Sequence, residues 1–155
     1  MKKTILVIPA YNEEDSILNT YNEIINYNKN SQDKLDVIVI NDGSTDNTKD
    51  ILEKNNIPCI NLIVNLGIGG AVQTGYKYAY ENGYDIAIQF DGDGQHDVNY
   101  VNDLIKAMDI NNSNMVIGSR FIEKDSDGFK STKARRIGIN LISWFIKLKT
   151  NIKIY

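Results

Sequence analysis

Cysteine, proline, histidine and tryptophan are all scarce in this chain of 155 residues, which holds one Cys, two Pro, one His and one Trp. A single cysteine, Cys59, leaves no disulfide framework to hold the fold. It lies in the apolar segment 57–64 and reads as a small buried hydrophobe in a reducing compartment. Long apolar runs are missing too. Nothing approaches the ~18 consecutive apolar residues of a membrane span, and the short run after Lys2-Lys3 is no signal-peptide core. An overall positive charge is also lacking. The net charge of −3 argues against nucleic acid as the main partner, because no global basic field displaces phosphate counterions.

What is present describes one ordinary soluble domain, 42% hydrophobic and 24% charged, large enough for a real core. No internal repeat or low-complexity linker interrupts it. The charge is uneven: residues 120–155 carry 9 basic and 3 acidic side chains, and residues 1–119 carry 8 and 17. Such a basic end suits phosphates or an anionic membrane surface, although a solvated Lys/Arg face explains the lysines equally well.

The chain is organised around Ile86-Ala87-Ile88-Gln89-Phe90-Asp91-Gly92-Asp93-Gly94-Gln95-His96-Asp97. A short apolar run stops at two aspartates, as a buried strand does when it delivers them to the rim of a sheet. Paired carboxylates suit Mg²⁺ or Mn²⁺, whose remaining positions are filled by substrate phosphates. A solvated polar turn is the bland alternative. A helix-loop-helix calcium loop is excluded, since His96 stands where its glycine belongs and Asn102 where its bidentate glutamate belongs.

The spacing predicts four βα units. Strand 1 covers Thr4–Ile8 and stops at Pro9; Glu13-Glu14-Asp15 then open a helix carrying Ile17, Tyr21, Ile24 and Ile25. Strand 2, Leu35–Ile40, ends in Asn41-Asp42-Gly43-Ser44 and leads to a helix reaching Lys54. Strand 3, Ile57–Val64, is followed by a glycine-rich turn over 65–70 and a helix over Ala71–Tyr80. Strand 4 is the aspartate-ended run. A helix with Val101, Leu104, Ile105 and Met108 on one side follows it, then strand 5 at Met115–Gly118. After a polar loop, residues 134–149 form a helix apolar nearly all round, which wants a partner chain, more protein or a membrane interface. Consecutive βα units imply a mainly parallel α/β sheet covered by helices, with ligands at the carboxyl ends of the strands. Asp42, Asp91 and Asp93 then share one edge. Asp42 and Ser44 are alternatively caps of helix 2, and Glu13 alternatively serves only the helix dipole. The glycine turn is neither a dinucleotide fingerprint, since Val72 replaces the third glycine, nor a P-loop. Gly69, Gly70 and Gly75 serve close packing instead.

Taken in order, Pro9-Ala10-Tyr11-Asn12-Glu13-Glu14, Asp42-Gly43-Ser44-Thr45-Asp46, Asn65-x-Gly67-x-Gly69-x-Ala71, Asp91-Gly92-Asp93-Gly94-Gln95-His96 and Gly118-Ser119-Arg120-Phe121 resemble the motifs of family 2 glycosyltransferases. The likeness is to the polyprenyl-phosphate sugar transferases in particular. It implies the GT-A fold, a Rossmann-like domain spanning 1–155, with a donor half at 1–119 and a basic loop and apolar helix at 120–155. It implies a nucleoside pocket lined by Pro9, Ala10, Tyr11 and Glu13, with Asp42 on the base. The D-x-D pair Asp91 and Asp93, joined through Gly92 and helped by Gln95, would hold Mg²⁺ or Mn²⁺ on the donor diphosphate. Arg120, Arg135 and Arg136 would meet phosphate. The implied reaction is inverting transfer from a UDP- or GDP-linked sugar to a lipid phosphate or a glycan, in cell-envelope biosynthesis on the cytoplasmic side. Peripheral membrane contact or self-association would run through 134–149. His96 is not cast as a base, because a phosphate-anion acceptor needs none.

Members of the family usually continue past that helix with an acceptor segment, so the expectation is a C-terminally truncated domain. A nucleotide-sugar or cation-binding module without transfer is the corresponding alternative. A sugar nucleotidyltransferase is disfavoured, since the loop after strand 1 is not Gly-rich with an arginine. A phosphoacceptor receiver is poorer still, lacking an acid at the end of strand 1.

Overall fold

The computed structural model describes residues 2–93 and 96–118, within and just beyond the compact unit Met1–Val116. Four parallel strands, β1 (Thr4–Ala10), β2 (Leu35–Asn41), β3 (Cys59–Asn61) and β4 (Ile86–Gln89), form a sheet of order β3-β2-β1-β4. The helices are α1 (Ile17–Asn30), α2 (Thr48–Lys54), α3 (Gly67–Glu81) and α4 (Val101–Ile110), the last entered through a 3-10 turn at Val98–Tyr100. Among the described residues, no helix is long and apolar enough to cross a membrane.

Strand alternation splits the core in two. Leu6, Ile8, Ala10, Val39 and Phe90 pack with Ile17 and Ile24 of α1, Leu52 of α2 and Val101 of α4. On the other face, Ile5, Val7, Ile38 and Ile40 meet Ala71 and Ala79 of α3. The small residues of α3 set that distance. A Cβ on Gly75 would stand 2.1 Å from Val7 Cγ1, so the helix backbone lies directly on β1.

The sequence expectation for strand 1 needs one refinement. Pro9 does not end the strand on both sides; β1 stays paired with β2 through Ala10↔Asn41, and the Asp42 amide donates to the Ala10 carbonyl at 2.8 Å. Pro9 ends the pairing with β4. The Phe90 amide donates to the Val7 carbonyl at 2.9 Å, and the next bond of a parallel ladder needs an N–H at position 9, which proline lacks. The chain is thereby released from the sheet at Asp91.

Other expected boundaries move for physical reasons. β3 is an edge strand with partners only at Val39–Asn41, so Ile63 and Val64 run on past the end of β2 and are exposed. Glu13, Glu14 and Asp15 precede α1, which starts at Ile17, because the Glu13 carbonyl accepts from the Ser16 and Ile17 amides and closes a turn first. α3 begins at Gly67, four residues before Ala71, with the Asn65 carboxamide accepting from the Gly67 amide. The strand expected at Met115–Gly118 is not formed, and Met115 and Ile117 are exposed. That run is short and offers no alternation to hold a register. The helix expected at 134–149 lies outside the described residues.

Candidate functional site

In a sheet of this order the winding reverses between β1 and β4, the point at which open α/β sheets take ligands at the carboxyl ends of their strands. Pro9, Ala10 and Tyr11 stand on one side of it, and Asp91, Gly92 and Asp93 on the other. Ala10 is buried, Tyr11 is 47% exposed, Asp91 is half-buried and Asp93 is exposed. Asp42 follows Ile38 and Ile40 in the alternation of β2, which assigns it to the α3 face. Asp91 lies past the last β4 pair, beside His96, whose ring meets Phe90 of the α1-face core. Asp42 Oδ1 accepts from the amide of Leu66 at the start of α3 (2.7 Å), and Asp91 Oδ1 accepts from Gln89 Nε2 (3.0 Å).

Asp42 is 3% exposed. Neither it nor Ser44 caps α2, which begins at Thr48 after Asn47; the capping alternative is therefore set aside. The loop after β2 also leans on the loop after β3. Gly43 has φ +66°, and a Cβ there would sit 2.9 Å from the Val64 carbonyl carbon and the Asn65 amide nitrogen.

The loops after β1 and β2 are laced into one body. The Asn12 amide donates to Ser44 Oγ (3.0 Å), while Asn12 Oδ1 accepts from the Thr45 amide (2.8 Å). The Glu13 amide donates to Thr48 Oγ1 (2.9 Å), the Glu14 amide to Asp46 Oδ2 (3.1 Å), and the Asn47 amide to Glu14 Oε2 (3.0 Å). Asp46 Oδ1 accepts from both the amide and the hydroxyl of the buried Thr48, at 2.9 and 2.6 Å. Burial pushes the Asp46 carboxyl up, but the bonds from Thr48 and the Glu14 amide outweigh it and hold the group below its ordinary value. Glu13 Oε2 accepts from the Ser16 hydroxyl, and Glu13 does not lie in the first turn of α1.

The aspartate turn is gripped from below. The Asp91 amide donates to His96 Nδ1 (3.2 Å), which leaves the ring proton on Nε2, 3.4 Å from Asp91 Oδ2. The His96 ring meets Phe90 edge-on at 5.5 Å. Beneath Gly92, the hydroxyl of the buried Thr20 donates to its carbonyl (3.0 Å).

The sequence did not single out Thr20, Thr48 or the grip of His96. Two signals were present: Thr20 is a polar residue on the apolar face between Ile17 and Ile24, and Asp46-x-Thr48 is a side-chain turn pattern. Gln95, Arg120, Arg135 and Arg136 lie outside the described residues. Cys59 is half-buried; burial and then the Glu53 charge push its thiol up, so it is protonated at neutral pH. Among the described residues no group of three or more His, Cys, Asp or Glu could hold a metal ion. Two carboxylates on one tight turn nevertheless fit Mg²⁺ or Mn²⁺, which take one or two carboxylates and complete their shell with water and phosphate oxygens.

A parallel α/β sheet of order 3-2-1-4 with its polar loops on the carboxyl edge defines a Rossmann-like domain. Residues 5–154 match the model described as Glycosyl transferase family 2, and the chain belongs to that family. It is 34% identical to a UDP-N-acetylglucosamine–dolichyl-phosphate N-acetylglucosaminyltransferase of Methanococcus voltae, over 94% of this chain and 63% of the relative. It is also 34% identical to a dolichyl-phosphate β-glucosyltransferase of Trichomonas vaginalis (74% and 39% covered), and 29% identical to an undecaprenyl-phosphate mannosyltransferase of Micrococcus luteus (76% and 48%). The chain thus spans about half the length of the curated relatives it matches. Among solved structures, S. aureus TarS 1–349 in complex with UDP-GlcNAc superposes with a TM-score of 0.57 at 24% identity, over 78% of this chain and 38% of TarS. That likeness supports the GT-A fold.

Proposed function

We propose that this domain binds a nucleotide-diphosphate sugar with a divalent cation and takes part in inverting transfer of the sugar to a polyprenyl phosphate. The observation carrying this reading is the shared carboxyl edge of Asp42 and the Asp91–Asp93 turn, which follow the two strands flanking β1. The reading gives Pro9, Ala10, Tyr11, Glu13 and Asp42 to the nucleoside. Asp91 and Asp93, with Gln95, hold Mg²⁺ or Mn²⁺, which supplies positive charge at the diphosphate. Arg120, Arg135 and Arg136 add charge on the same phosphates. In the transfer an acceptor oxygen bonds to the anomeric carbon as the bond to the diphosphate oxygen breaks, and the nucleoside diphosphate leaves with the electron pair. Because a phosphate acceptor is already an anion, no side chain has to remove a proton. The protein's work is orientation and stabilisation of the leaving group. The names of the dolichyl- and undecaprenyl-phosphate relatives favour a lipid phosphate over a glycan as acceptor. A lipid acceptor in turn favours work at the cytoplasmic membrane face, with the basic and apolar residues of 120–155 supplying peripheral contact.

The test is calorimetry with UDP- and GDP-sugars, with and without Mn²⁺. Asp93→Ala is expected to weaken Mn²⁺-dependent donor binding by at least about tenfold, the scale of a lost charge-assisted contact, with the melting temperature unchanged. Equal affinity in variant and parent refutes the metal assignment.

A further inference from the structure

We infer that Thr20 is a positioning residue for the metal-binding turn: its hydroxyl fixes the Gly92 peptide and so aims Asp91 and Asp93. This inference rests on the donor-site reading above. Thr20 is 1% exposed, in the second turn of α1, and 72 residues away in sequence from the carbonyl it bonds at 3.0 Å. Its neighbours on that helix face, Ile17 and Ile24, belong to the apolar core, where an unpartnered hydroxyl is costly. Gly92 is itself pressed onto the core. A Cβ there would lie 3.3 Å from Ile8 Cγ2 and 3.5 Å from Ile17 Cδ1.

Only Gly92 separates the two aspartates, and the peptides on both sides of the Asp91–Gly92 peptide are held. The Asp91 N–H goes to His96 Nδ1, and the Gly92 C=O goes to Thr20 Oγ1. After Asp91 has left the β4 ladder at Pro9, no strand bond orients these peptides. Thr20 replaces the ladder with a bond from the helix beneath. It touches neither donor nor cation and acts through the backbone, as outer partners of metal ligands do.

The experiment titrates Mn²⁺ into the full chain in the presence of UDP, with a parallel series in GDP, and follows melting temperature alongside. Thr20→Val removes the hydroxyl at constant shape and is expected to weaken Mn²⁺ binding roughly 10- to 100-fold. Thr20→Ser keeps the donor and is expected to restore most of the affinity. Ile24→Val, on the same helix and in the same core, is expected to lower the melting temperature while leaving Mn²⁺ affinity unchanged. Should Thr20→Val fail to fold, Thr20→Ala is read in its place. Parent-like affinity in the hydroxyl-less variant, or an equal loss in Ile24→Val, overturns the inference while the parent still binds. A parent that binds neither nucleotide with Mn²⁺ overturns the donor-site reading, and the inference with it.

Discussion

At the residue scale, one carboxylate is engaged by the fold itself and another stabilises a loop by being charged. Asp42 already accepts from the Leu66 amide, so a nucleotide base would share a carboxylate that the fold has oriented. Asp42→Asn keeps an oxygen for Leu66 and removes the charge. Nucleotide affinity is expected to fall roughly tenfold with the Mn²⁺ dependence intact; equal affinity leaves Asp42 as a structural acceptor only. Asp46 makes a pH prediction. Its folded value is held below the ordinary 3.8. Its contribution is therefore fully present above that value and lost as pH falls through the lower folded one. Asp46→Asn is expected to flatten the acid limb of a stability–pH profile below about pH 4, and a parent-like limb contradicts the assignment. The sequence announced Asp42, Asp91 and Asp93 because acids after apolar runs are unusual. It did not announce Thr20 or Thr48, because a single threonine in a helix pattern looks like any other, and only the folded chain supplies its distant partner.

At the element scale, the position of the site depends on where strands stop. Pro9 ends one ladder and spares the other, so β1 carries Ala10 forward while β4 lets Asp91 turn away. A proline was visible in the sequence as a strand terminator, but the side on which it acts depends on which neighbour its missing N–H faces. The overlong expectation for strand 3 has a similar origin: residues 57–64 are apolar throughout, and only the end of β2 at Asn41 decides how many can pair. The strand expected at Met115–Gly118 fails for the opposite reason: its apolar run pairs with no strand among the described residues. On the far face, α3 sits on β1 through Gly75. Gly75→Ala drives a methyl into Val7 and is expected to cost about 1–3 kcal/mol, read as a lower denaturant midpoint at unchanged slope. A variant as stable as the parent would mean that α3 can lift from the sheet freely.

For the whole molecule, the order of four parallel strands converts separated sequence motifs into one rim. The α/β class, the number of βα units and the edge that gathers the acids were legible from apolar runs broken by polar turns. The strand order was not, since no local pattern says that β4 returns beside β1 rather than β3. That placement puts the reversal point between Pro9 and Asp91. Membership of the glycosyl transferase family over residues 5–154 agrees with the five motifs in their order. The central claim is that one nucleotide spans this rim, with its base at Asp42 and its cation at the Asp91–Asp93 turn. The most direct measurement is paramagnetic broadening of backbone amide signals by Mn²⁺ in the presence of UDP, with GDP as the parallel probe. The account predicts nucleotide-dependent loss of the Asp91, Gly92 and Asp93 signals, weaker broadening at Tyr11 and Gly43, and sharp signals at Lys3 and Gly83 on the opposite edge. Broadening centred on that opposite edge, or indifferent to nucleotide, would contradict it.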